Sequence, residues 1–314
     1  DLADESSGTT GEPCPAADPG TDLPLLESYE LAGDDLYPEG IAWDLQTRSF
    51  YVGSLEHGTV TRVDADGSQS LLAEPANAGW STVGMKIDPA ARRLFACAMS
   101  IDLDGTGEVW IYDLDGCGLV EQVDLTLAAE GARCNDLALA PDGAALVTDP
   151  GQGHVYRVAA GQGPEIWASD PLLDPEGPLP FGLNGIAVTP DGAFVVAVNL
   201  TAQRLVRIDL ADPTSVVEIA LTGDPLPQGG DGLVFRDGED VLYVMRDTEV
   251  LRVALTAGYT TGDVTTLTLP TLPSGITTAT VAEGEVYVTE GSAVARTFDQ
   301  APDLPFQIVR LGGR

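Results

Sequence analysis

Six positions in this chain, Glu39, Val83, Asn135, Asn184, Asp231 and Ile276, each open a short apolar run that turns over a loop and returns as a second run. Four of the six side chains carry oxygen and two are apolar, and neither Lys nor Arg occurs among them. Two carboxylates and two amide carbonyls brought around one axis make a site for a hard cation, and calcium is its natural occupant. Glu39 and Asp231 would neutralise the two charges of the ion, and Asn135 and Asn184 would add neutral carbonyl oxygens. Water or substrate oxygens would complete the six to eight ligands that calcium usually takes. The alternative is a water-filled channel in which the same groups hydrogen-bond with no ion. Facing carboxylates without compensation are costly, which favours the metal.

Convergence of these residues requires a radial fold. The six positions lie 44, 52, 49, 47 and 45 residues apart, a period matching a four-stranded β-unit repeated around an axis. NGIAVTPDG (184–192) and NDLALAPDG (135–143) are the clearest copies, and EGIAWD, VGMKIDP, DGLVFRDG and ITTATVAEG are looser ones. PDG and DG turns separate β-branched and aromatic runs, as expected of tight hairpins. The expected fold is all-β: a six-bladed β-propeller of four-stranded antiparallel blades. Blade 6 lacks an outer strand before the chain ends, and Ser28–Ala32 (SYELA) is expected to supply it and close the ring. No helix is expected. Two Pro-rich connections, 170–182 and 223–230, lead into Asn184 and Asp231 and would wall a pocket on the ring's face.

Residues 1–22 are rich in Ser, Thr, Gly, Pro and Asp and cannot bury a core, so they read as a flexible segment ahead of a single propeller over 23–314. The formal net charge is −34, with 49 acidic residues against 15 basic ones, and Lys86 is the sole lysine. Such a surface repels phosphates and disfavours nucleic acid and anionic membranes. No apolar run is long enough to span a bilayer. The chain reads as the mature form of an exported, extracellular or periplasmic monomer. Its four cysteines agree with export. Cys97 and Cys134 fall on one face of neighbouring blades, so the expected pairs are Cys97–Cys134 and Cys14–Cys117, with buried free thiols as the alternative. Asp102–Glu108 (DLDGTGE) has the alternating acids of a calcium loop without its full pattern, and reads first as an acidic turn.

The phrases YPEGIAWD (37–44), RCND (133–136), NGIAVTPDG (184–192) and GDGLVF (230–235) resemble the calcium-dependent six-bladed propeller hydrolases. That group comprises gluconolactonases and regucalcins, diisopropyl-fluorophosphatase-type phosphotriesterases and paraoxonases. The resemblance implies that Glu39, Asn135, Asn184 and Asp231 hold a catalytic calcium and that Asp231 is base or nucleophile. It also implies a small lactone or ester substrate, with Arg133 orienting its anionic or hydroxyl-rich groups; a salt bridge is the alternative role for Arg133. Trp80, Phe181 and Leu183 are expected at an apolar pocket rim, and Asp149 and Asn199 are candidates for touching substrate, with turn capping as their alternative role. Paraoxonase-like members are associated with a histidine dyad above the calcium. Here His57 and His154 are the only histidines and are expected in or beside outer connections, away from the axis. Two other readings remain open: a binding protein with a structural calcium, and an isomerase or synthase like the strictosidine-synthase relatives. The intact Glu/Asn/Asn/Asp set speaks against the second.

Overall fold

The computed structural model describes residues 23–100, 106–177, 181–236, 238–267, 275–297 and 300–312. They form six sheets arranged as blades, five of four strands and one of five. The innermost strands are Pro38–Asp44, Trp80–Asp88, Leu137–Leu139, Leu183–Val188, Leu233–Phe235 and Ile276–Ala282. Each packs against the innermost strands of both neighbours, which closes the ring.

Blade 6 closes as expected. Ser28–Glu30 pairs antiparallel with Gln307–Arg310, in the register Ser28↔Val309 and Glu30↔Gln307. The extra strand in blade 5 was not foreseen. Ala220–Gly223, which leads into the second Pro-rich connection, runs parallel to Thr261–Thr266 and covers the outer edge of that blade. Two short helical pieces also depart from the all-strand expectation: a 3-10 turn at Leu125–Leu127 and a five-residue helix at Ala293–Thr297.

Stacking buries the middle strands of a blade on both faces, and this explains their near-continuous apolar sequences. Phe194–Asn199 (FVVAVN) is buried over its last five residues, while the outer strand Gln69–Ala73 buries only Leu72. Six apolar clusters result, each shared by two adjacent blades. The cluster joining blades 6 and 1 unites Tyr29, Phe50 and Tyr287, with ring centroids 5.3 and 5.0 Å apart. Blades 2 and 3 are joined covalently by the expected Cys97–Cys134 disulfide. Cys117 is also disulfide-bonded, and Cys14 lies outside the described residues.

One local device places the site. In four innermost strands the pairing skips two residues: Glu39–Gly40, Val83–Gly84, Asn184–Gly185 and Thr277–Thr278. Such irregularities bend a strand and re-aim its side chains. In blades 3 and 5 the counterpart pairs, Asn135–Asp136 and Asp231–Gly232, precede the regular strand and bond to the second strand through Thr148 and Met245. Glycine follows the ring residue where the next blade comes closest. A Cβ on Gly40 would stand 1.9 Å from the Val83 carbonyl oxygen, and one on Gly185 would stand 2.3 Å from that of Asp231.

Register corrects one expectation. Ile276 pairs with Glu290 and is fully buried between blades 5 and 6, so it is not the ring residue of blade 6. The residues released from pairing there are Thr277 and Thr278. A shift of one residue moves a side chain to the opposite face.

Candidate functional site

Glu39, Asn135, Asn184 and Asp231 come together on the propeller axis. With Gly84, Asp136, Gly232 and Thr278 they line a cavity whose free volume of about 10 Å³ suits one water-sized occupant. Each comes from the irregular start of an innermost strand, so the backbone feature that interrupts pairing also delivers the side chain to the axis.

The two amides are linked. Asn135 Nδ2 donates to Asn184 Oδ1 in a short contact, and Asn184 in turn hydrogen-bonds Asp231. Glu39 is less well served: its Oε2 is buried and has no hydrogen-bond partner. Burial pushes the Glu39 carboxyl up to about 7, opposed by a hydrogen bond from Thr277 and reinforced by the charge of Asp136. Asp231 is also raised well above the usual carboxylate range, first by burial and then by the charges of Glu39 and Asp136. These acids crowd one another around a small polar void, with no hydrogen bond from Lys or Arg among those described at their oxygens. Among the described residues no group of three or more His, Cys, Asp or Glu side chains closes on a metal-sized point. Two of the four expected oxygen donors are amides.

Asp136 is the site residue that sequence reading missed. Its Oδ1 accepts the Leu137 N–H at 2.8 Å and its Oδ2 accepts the Ile186 N–H of blade 4 at 3.2 Å. A signal for it was present. The residue after the ring position is Gly40, Gly84, Gly185 and Gly232 in four blades, and only in blade 3 among the first five does a side chain, Asp136, replace glycine. Thr278 was hidden by the register shift in blade 6.

The residues expected around a substrate pocket do not line this cavity, and three of them are withdrawn from solvent. Asp149 is fully buried, and its oxygens accept from the Arg133, Gly151 and Gln152 N–H groups and the Tyr156 hydroxyl. Asn199, also fully buried, donates to the Leu173 and Asp174 carbonyls and accepts from the Ala202 N–H, which ties down the first Pro-rich connection. Asp149 and Asn199 are thus satisfied chiefly by backbone groups, as turn-closing side chains are. Leu183 is fully buried in the core between blades 3 and 4 rather than on a rim. Trp80 stacks on Trp110 at 5.9 Å against the core between blades 1 and 2, and Phe181 is half-buried ahead of the blade 4 inner strand.

Arg133 is half-buried, with its side chain running beside the Asp149–Gly151 turn. His57 Nε2 lies 3.1 Å from Asp35 Oδ1, and both side chains are largely exposed. His154 packs edge-on against Tyr156. Neither histidine lines the cavity. Most of Asp102–Glu108 lies outside the described residues; Glu108 accepts from Trp110 Nε1 at 2.6 Å and Asn77 Nδ2 at 3.1 Å. The second Pro-rich connection is anchored by Arg246, whose Nε donates to the Gln228 carbonyl at 2.7 Å.

The family model described as the SMP-30/Gluconolactonase/LRE-like region matches residues 37–292. Among solved structures, the chain is similar to the major Malassezia sympodialis allergen Mala s 1, at 18% identity and a TM-score of 0.74, covering 92% of this chain and 97% of that one. It is similar to a gluconolactonase of Xanthomonas campestris at 19% identity and a TM-score of 0.62, over 90% and 89% of the two chains. A regucalcin of Agrobacterium tumefaciens, described as a calcium-binding protein, aligns at 17% identity and a TM-score of 0.63, over 93% and 96%. At these identities the structural likeness shows the fold alone. No curated protein sequence matches the chain.

Proposed function

The chain belongs to the SMP-30/gluconolactonase/LRE-like family, and on that premise we propose that it is a calcium-dependent hydrolase of lactones or related esters. The observation that carries this reading is the convergence of Glu39, Asn135, Asn184 and Asp231 on one buried cavity in which Glu39 Oε2 has no partner. A buried carboxylate oxygen left without a donor is costly, and a hard cation satisfies it. The donor set of two carboxylates and two amides suits calcium.

Glu39, Asn135, Asn184 and Asp231 would hold the calcium, which would supply Lewis-acid polarisation of the scissile carbonyl. The chain's own groups do the rest. Asp231 takes the proton of the attacking water at a carboxylate oxygen, or attacks directly. Burial and the neighbouring acids make it more basic, whereas coordination makes it less so; the pH profile of turnover reads the balance. Asn184 holds the Asp231 carboxylate by its hydrogen bond. Arg133 orients the substrate from the blade 3 turn. Export as a monomer is part of the proposal, and the Cys97–Cys134 disulfide supports an oxidising compartment. No helix among the described residues is long and apolar enough to cross a membrane.

A second reading, a binding protein with a structural calcium, draws on the size of the cavity. It accommodates one small occupant, and Leu183, Asp149 and Asn199 are withdrawn from any pocket above it. Calorimetry on chelator-stripped wild type and Asn184→Ala, with a lactone and aryl-ester panel assayed in the same samples, separates the readings. Calcium binding lost in the variant, with hydrolysis that tracks occupancy, supports the enzyme. Binding without hydrolysis supports the binding protein. A wild type that binds no calcium overturns both.

A further inference from the structure

Three carboxylates line the axial cavity: Glu39, Asp231 and Asp136. A dication would leave one of those charges over. Opposite the third stands the only lysine of the chain: Lys86 Nζ in blade 2 lies 3.8 Å from Asp136 Oδ1, with the two side chains 27% and 6% exposed. That separation is too long for a hydrogen bond. The oxygens of Asp136 are already held by the Leu137 and Ile186 N–H groups. What Lys86 adds is therefore charge, placed beside Asp136 and not among the residues that line the cavity. Asp247, which also acts on Asp231, is exposed in the turn between the second and third strands of blade 5 and is screened by water.

We propose that Lys86 is a specificity-determining residue for the axial centre: acting through Asp136, it holds the wall at two net negative charges, so that a divalent cation is preferred over a trivalent one. This inference rests on the calcium reading above. The physics is that of a fixed charge near an ion. Repulsion by an ammonium scales with the charge of the incoming cation, so its removal tightens every cation and tightens a trivalent ion most. Loss of packing, by contrast, weakens ions of either charge together.

The test compares chelator-stripped wild type, Lys86→Met and Lys86→Arg, with Lys86→Gln in reserve should the methionine variant fold poorly by circular dichroism. Calcium affinity is read by calorimetry and terbium affinity by its luminescence, with no substrate present. The expected result is tighter calcium binding in Lys86→Met and a terbium-over-calcium preference raised by about fivefold or more, while Lys86→Arg keeps the wild-type ratio. An unchanged or lowered ratio in both uncharged variants overturns the inference, as does an arginine variant that shifts as far as methionine. If wild type binds calcium and the ratio stays put, only this inference fails; if wild type binds neither ion, the calcium reading fails and this one falls with it.

Discussion

Arg92, in the first hairpin turn of blade 2, holds both oxygens of Asp44 at the end of the first strand of blade 1: Nη1 meets Oδ1 at 2.8 Å and Nη2 meets Oδ2 at 2.9 Å. The Asp44 side chain is fully buried, and the Gln46 N–H and the Thr47 hydroxyl complete its partners. Burial works to raise the Asp44 carboxyl, but the Arg92 hydrogen bonds with those from Thr47 and Gln46 outweigh it, and the net direction is down. A depressed carboxylate contributes stability above its unfolded value, near 4, and that stability is lost as pH falls through the folded one. Arg92→Met is expected to cost about 3 kcal/mol at neutral pH by leaving a buried charge without its cation. It should also flatten the dependence of stability on pH below about 4. Urea melts of both proteins from pH 2 to 7 check this; parallel pH curves would show that the pair does not carry the linkage.

Glu39→Gln is expected to remove the response to calcium while leaving the stripped protein at least as stable as wild type. The substitution takes away a charge whose Oε2 has no partner and also takes away an ionic ligand. In wild type, calcium at 100 times its dissociation constant should add about 2.7 kcal/mol. Thermal melts with and without chelator measure both quantities, and a calcium-induced shift that persists in the variant would exclude Glu39 from the site.

Gly185→Ala forces a Cβ to within 2.3 Å of the Asp231 carbonyl oxygen, so the backbone that carries Asp231 must move. Calcium affinity is expected to fall more than tenfold. The loss should exceed that of an alanine placed at the exposed loop position Gly163, where nothing lies within 4 Å of a new Cβ and φ is not positive. Calorimetry on the two variants makes the comparison.

The Cys97–Cys134 bridge closes a 37-residue separation between blades 2 and 3. On the loop-entropy account its removal costs about 4 kcal/mol. Cys97→Ala/Cys134→Ala is expected to show that loss in urea denaturation, and reductant should destabilise wild type without moving the variant by as much.

With a formal net charge of −34, the folded chain repels itself. Salt shortens the reach of that repulsion, from about 10 Å at 0.1 M to about 3 Å at 1 M. Melting temperature in the presence of chelator is expected to rise steadily with sodium chloride over this range. A flat or falling trend would mean that the acidic surface is already compensated locally.

Blade number, ring closure by Ser28–Glu30 and the axial convergence of Glu39, Asn135, Asn184 and Asp231 follow from period and pattern in the sequence. A repeat of this length cannot bury its apolar strands alone, so copies must stack, and stacking around an axis brings equivalent positions together. The Cys97–Cys134 pairing is legible for the same reason, since neighbouring copies present equivalent faces.

Other features depended on the tertiary structure. Ile276 and Thr277 are indistinguishable by pattern, and only the skipped pairing in blade 6 decides which one faces the core. Asp149 and Asn199 end strands near the ring in the sequence, yet local backbone donors and carbonyls draw both side chains inward. The role of Asp136 emerges only when Lys86 from blade 2 and Ile186 from blade 4 arrive at its two oxygens. A repeating sequence determines which residues are equivalent. Where one copy differs from the rest, contacts made by other blades determine what that residue does, and those contacts have no local signature in the chain.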